Sequence, residues 1–208
     1  MPTSPGPLSA ALEALWESLR TDCQLPPTII TVSATAGSPN HSHERFREND
    51  DGAVTGVLVD VPTMERGGEA ILTAVLHDAA HMKNWRDRVA DTARYGAYHN
   101  GRFLKAAQCL GLELRPETTR TAGGGYADVV LTPETQVAYA DVIAELSEAA
   151  EQALPHLSPP PDVTRTRPPD RLSVQCQCSD PRLLRISKSQ WERGPITCGV
   201  CGAQFVRV

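Results

Sequence analysis

The sequence predicts an α+β fold, a small sheet packed on helices with one metal-binding helix, followed by a small C-terminal β zinc ribbon. Three observations carry this expectation. Runs of strand length and strand composition alternate with stretches of helical apolar spacing. One helical stretch, ILTAVLHDAAHMKNW, sets His77 and His81 four residues apart, with Asp78 directly after the first. Four of the six cysteines fall in two tight pairs near the C-terminus, Cys176-x-Cys178 and Cys198-x-x-Cys201.

The 208 residues suffice for one modest core and an appendage. A hydrophobic fraction of 40% and a charged fraction of 22% fit a soluble globular chain, and 5% aromatics leave the core to Leu, Val, Ile and Ala. No apolar run approaches the roughly 20 residues that span a bilayer. The N-terminus lacks a basic start followed by an apolar run, so the expected location is cytoplasmic, with no membrane partner. Thiols stay reduced there, so the paired cysteines read as metal ligands before disulfides. Cys23 and Cys109 are isolated and read as small buried apolar residues.

Taken in order, Leu8–Leu19 has the apolar spacing of an amphipathic helix, introduced by the breaker Ser4–Pro7. Pro26 and Pro27 bar its continuation, and TIITV (Thr28–Val32) is strand-like. Ala34–Asp51 is polar and irregular, a surface loop with room for an edge strand, in which His41 and His43 are expected to be solvent-exposed. Gly52–Val61 reads as a strand and Met64–Gly68 as a turn. Glu69 to about Trp85 is a helix whose stripe of Ile71, Leu72, Val75, Leu76, Ala79 and Ala80 should be buried. Asp91–Tyr98 is expected as a loop, Asn100–Leu110 as a helix stopped by Gly111, and Leu112–Leu114 as a short strand. Gly123–Gly125 should be a flexible turn before a strand near Tyr126–Leu131. Thr132-Pro133-Glu134 starts a helix that should run to about Leu154. Six of the 17 prolines then lie between Leu154 and Asp170, a stiff extended linker. The expected organisation is therefore a main domain over 1–153, a linker over 154–170 and a ribbon over 171–208.

Residues i and i+4 share one helix face, so His77 and His81 can both reach one ion with ring nitrogens at about 2.0–2.1 Å. The alternative is that carbonyls satisfy both rings. The residue after the first ligand projects beside the ion, where a carboxylate can take a proton from water. Asp78 is one methylene shorter than the glutamate usual there, against a working reach of about 2.6–3.2 Å. It must move closer or act through a second water. A catalytic zinc needs a third protein ligand and an open fourth position. His99, 18 residues beyond His81 and ahead of another predicted helix, is the candidate third ligand. His156, among prolines, is a poor one. Trp85, Tyr95 and Tyr98 either flank a substrate groove or pack in the core. A fourth protein ligand would instead make the site structural.

VLHDAAH, DTARYGAYHNGRF and GYADVVLTPE together resemble the SprT-like metallopeptidase domain, over roughly Leu8–Leu154. That family carries an HExxH helix and a later histidine in a His-x-x-x-Phe setting. The resemblance implies a zincin-like peptidase core with His77, His81 and His99 as zinc ligands. It also places Phe103 at the family's phenylalanine and Asp78 where the catalytic glutamate belongs. Known members act on proteins held on DNA, so it further implies a protein or peptide substrate.

The cysteine pairs are separated by 19 residues, and each can sit on a tight turn of a four-thiolate zinc site with bonds near 2.3 Å. LLRIS between them alternates as a strand, and ITCGVCGAQFVRV reads as a hairpin. Such a closed site is structural, and so small a unit needs the ion to fold. Its function would be binding. From Arg171 to Val208 six Lys/Arg face two Asp/Glu, a formal +4 in a chain of net charge −5. Arg182, Arg185, Lys188, Arg193 and Arg207 could meet phosphates, and Trp191 or Phe205 a base, so DNA and protein are equally open as partners. The expected cofactor is Zn2+ at two sites. The sequence thus carries two functions, a zinc-dependent peptidase targeted by a ribbon and a metal-binding module without catalysis.

Overall fold

The computed structural model describes residues 6–33, 46–94, 96–118, 120–157 and 171–207. Residues 34–45 of the expected loop, with His41 and His43, most of the proline-rich linker, and Tyr95 lie outside the described residues. The chain divides into two compact units, Met1–Pro159 and Pro160–Val208. Both mix helix with small sheets, so the α+β class holds. Among the described residues no helix is long and apolar enough to cross a membrane.

In the first unit, helix α1 (Pro7–Cys23) buries Leu8, Leu12, Leu15, Trp16 and Leu19, the stripe its sequence spacing demands. Strand β1 (Thr28–Ser33) follows, then the two-residue β2 (Arg47–Glu48) and β3 (Val54–Asp60). β3 is central, parallel to β1 and antiparallel to β2. Its alternation breaks at Gly56, where the register against β1 shifts by one residue. The strand stops where Asp60 caps the short helix α2 (Val61–Met64) by accepting the Thr63 N–H at 3.0 Å.

Helix α3 (Gly68–Arg86) is the spine of this unit. Ile71, Leu72, Val75, Ala79, Ala80 and Met82 are fully buried, and it packs against β3 and two later helices. Glu69 in its first turn and Lys83 and Arg86 in its last complement the helix dipole. Its first residue must be glycine: a Cβ on Gly68 would lie 2.0 Å from the Ile143 carbonyl oxygen of a crossing helix.

The segment expected as a loop after α3 is a β-hairpin. β4 (Thr92–Ala93) pairs antiparallel with β5 (Tyr98–His99), Thr92 opposite His99. Arg94 and Gly96 take positive φ in its connection, which closes the turn. α4 (Gly101–Cys109) is capped by Asn100, whose side chain accepts the Arg102 N–H at 2.8 Å. β6 (Leu112–Leu114) and β7 (Val129–Leu131) form an antiparallel pair. The single helix expected from Thr132 is two, α5 (Pro133–Ala138) and α6 (Ala140–Leu157). The bend falls at Tyr139, which packs against the core while Val137 is 79% exposed. α6 also runs three residues beyond Leu154, with Pro155 in its last turn. Cys109 is exposed and Cys23 half-buried, so neither is the fully buried residue expected.

The second unit is a three-stranded antiparallel sheet of β8 (Arg171–Gln175), β9 (Leu183–Ser187) and β10 (Val206–Arg207), ordered β10-β8-β9. A short helix α7 (Lys188–Glu192), absent from the sequence reading, follows β9. Among the described residues its buried core is Val174, Cys176, Cys198 and Phe205, with Leu172, Ile186, Trp191 and Ile196 packed half-buried against it.

Candidate metal centres

His77, His81 and His99 come together as the spacing predicts. The one-turn offset on α3 stacks the first two, and the hairpin returns the chain so that β5 delivers the third. The Nε2 atom of His77 lies 3.2 Å from that of His81 and 3.2 Å from that of His99. Three nitrogens bound to one tetrahedral ion at about 2.0–2.1 Å would stand about 3.3 Å from one another. The donor set therefore fits a metal ion in kind and in spacing. His81 and His99 are 0% and 1% exposed, whereas His77 is half-buried, so His77 carries most of the solvent-accessible surface of the three.

Two surrounding side chains fix the rings. Asp91 is wholly buried at the start of the hairpin; its Oδ2 lies 2.9 Å from His81 Nδ1 and accepts the Asn84 side-chain N–H at 2.9 Å. A carboxylate on Nδ1 holds the proton there and leaves the Nε2 lone pair facing the other two histidines. Phe103 on α4 is 0% exposed, with its ring centre 4.6 Å from each of the three imidazole centres. It forms an apolar floor that keeps water from one side of the cluster. Asp91 carried no signal of its own in the sequence. The signal was chemical: a buried ligand histidine needs an acceptor for its second nitrogen, and Asp91 lies in the segment that returns the chain.

Asp78 is 4% exposed, and its Oδ2 accepts the Leu58 backbone N–H at 3.1 Å. The carboxylate is thus tied to β3, on the edge that β2 leaves uncovered beyond Thr55. Trp85 is half-buried, packs on the core and lies 6.1 Å from the Phe46 ring, which answers the choice between groove and core. Tyr98 is half-buried, with the guanidinium carbons of Arg94 and Arg120 5.5 and 5.7 Å from its ring centre. His156 is exposed on α6.

In the second unit, Cys176, Cys178, Cys198 and Cys201 form the other group able to hold a metal ion. The sulfurs of Cys178 and Cys198 are 3.8 Å apart, far beyond a disulfide of about 2.05 Å. Thiolates on a tetrahedral ion with bonds near 2.3 Å stand about 3.8 Å apart. The second pair sits on a turn in which Gly202 N donates to Cys198 O and Cys198 N to Ala203 O. Backbone N–H groups of Cys201 and then Val200 draw the Cys198 thiol down to about 6, while Cys176 and then Cys201 push Cys178 up to about 12. Taking up an ion therefore means driving off the protons the cluster still shares. Arg182 serves this cluster: its Nη2 lies 2.8 Å from Cys198 Sγ, and its backbone N–H donates to Cys176 Sγ at 3.2 Å. Phe205 is core rather than a stacking surface, and Trp191 has the Arg207 guanidinium carbon 5.8 Å from its ring centre.

Comparison of the chain with models of known protein families, with curated proteins and with solved structures finds no match.

Proposed function

We propose that the chain is a zinc-dependent peptidase of the SprT-like class with a zincin-like core, and that its cysteine unit is a zinc ribbon that targets it. One observation supports this above all: the Nε2 atoms of His81 and His99 each lie 3.2 Å from that of His77, about the spacing of nitrogens on one tetrahedral ion. Imidazole and thiolate sets both suit zinc among the common divalent ions. A zinc ion held by the histidines supplies Lewis-acid polarisation of a peptide carbonyl and activation of water. Asp78 is the residue to take the proton, being next to His77 on the same helix. Its bond to Leu58 orients the carboxylate without exhausting it, since a carboxylate offers about four acceptor positions. The ribbon turns Arg185, Lys188 and Arg193 to solvent, which suits DNA or a DNA-bound protein in the cytoplasm.

A second reading, a metal-binding module without catalysis, is favoured by the same Asp78: it is short, nearly buried and held by β3. Proteolysis of a protein substrate, with and without DNA, separates the two. The peptidase reading expects cleavage that a chelator abolishes, zinc restores and Asp78→Ala removes. If Asp78→Ala cleaves as well as wild type, the mechanism is wrong. Activity appearing only in Asp78→Glu identifies the non-catalytic module.

A further inference from the structure

We infer that Gly125 is a positioning residue for the third histidine, its missing side chain letting the 121–125 turn lie flat on the His99 backbone and set where that imidazole ends. The inference rests on the reading that the three histidines hold a metal.

His99 is held along both edges. Thr92 pairs with it on one side within the hairpin. On the other side His99 N donates to Gly124 O and Tyr126 N donates to His99 O, each at 3.0 Å, so Gly125 bridges to His99 as a parallel strand would. The turn that supplies these groups is closed on itself. Thr121 and Gly125 exchange both backbone hydrogen bonds at 3.0 Å, and the Gly124 N–H donates to Thr121 Oγ1 at 3.0 Å. Arg94, from the hairpin, donates to the Ala122 carbonyl at 2.9 Å and ties the two segments together. The GGG run expected as a flexible turn is thus the wall against which a ligand is seated.

The three glycines are not equivalent. A Cβ on Gly123 would meet nothing within 4 Å. One on Gly125 would stand 2.0 Å from His99 O, 2.9 Å from its carbonyl carbon and 3.0 Å from its nitrogen, and Gly125 also holds φ at +67°. All three atoms are His99 backbone, so no side-chain rotation relieves the contact. The wall and the ligand must part by about 1.4 Å to bring the 2.0 Å approach to an ordinary 3.4 Å contact, whereas a metal–nitrogen bond tolerates about 0.2 Å. Supporting partners of this kind are worth about 10–100-fold in metal affinity.

The test is zinc affinity by chelator competition on the full chain, with the four-cysteine site as internal reference, joined to the visible bands of cobalt at the histidine site. Gly125→Ala is expected to weaken the histidine site about 10–100-fold and to alter its cobalt bands. Gly123→Ala should match wild type, and the cysteine site should be unchanged in both. Should Gly125→Ala fail to fold, Thr121→Val decides: it removes the hydroxyl acceptor of Gly124 and should weaken the same site several-fold. Wild-type affinity and cobalt bands in a folded Gly125→Ala, or in Thr121→Val where the first does not fold, would overturn the assignment even if stability fell. A wild-type chain that binds zinc only at the cysteines overturns it together with the reading on which it rests, and the reference site tells these failures apart.

Discussion

His81 Nδ1 lies 2.9 Å from Asp91 Oδ2, with both side chains 0% exposed. The pairing joins helix α3 to the hairpin that carries His99, because Asp91 directly precedes Thr92, the residue paired with His99 at the open end of the β4–β5 ladder. Asn100 N closes it by donating to Asp91 O at 2.9 Å. One short hairpin thus delivers both one histidine of the cluster and the group that orients another.

Asp91→Ala should therefore lower zinc affinity at the histidine site by about 10–100-fold and leave the cysteine site untouched. Competition against a chelator of known affinity measures it. Unchanged affinity would mean that Asp91 does not set the His81 tautomer.

Asp78 has two separable duties. Removing its carboxylate leaves the Leu58 N–H without this acceptor, so Asp78→Ala should destabilise the first unit by about 1–3 kcal/mol. Asp78→Asn keeps an acceptor oxygen and should stay near wild-type stability while losing proteolysis. Urea denaturation of the metal-free chain beside the cleavage assay checks both.

Phe103→Ala should cost about 3–5 kcal/mol, since a fully buried ring is deleted, and should also loosen the three imidazoles that rest on it. Phe103→Leu should retain most of the stability. The measurement is the denaturation midpoint together with zinc affinity. A loss of stability with unchanged affinity would confine Phe103 to packing.

Chelation should melt the second unit selectively. Its core of Val174, Cys176, Cys198 and Phe205 is too small to hold three strands, so the cysteine site must contribute folding free energy. Amide exchange should show β8 and β9 losing protection when metal is removed while the centre of α3 keeps it. Protection of β8 surviving metal removal would contradict this.

The legible parts of the fold were those governed by local rules. The α3 stripe, the β6 strand at Leu112–Leu114 and the Thr132 helix start followed from spacing and capping, because few tertiary choices compete there. The histidine trio was legible for the same reason: i and i+4 leave one geometry on a helix, and one more histidine sat within reach. What stayed hidden depends on partners distant in sequence. Asp91 matters only because His81 is buried beside it, and Gly125 only because His99 lies beneath it. The hairpin was obscured because its strands have two residues each, too few to show alternation. Arg182 read as a phosphate contact, whereas the fold directs its guanidinium to a sulfur.

The central claim is that His77, His81 and His99 hold one metal ion and the four cysteines another. Elemental analysis of the purified full chain, wild type beside His99→Ala, tests it most directly. Two equivalents of zinc in the wild type falling to one in the variant is the predicted result. The same metal content in both proteins would contradict it.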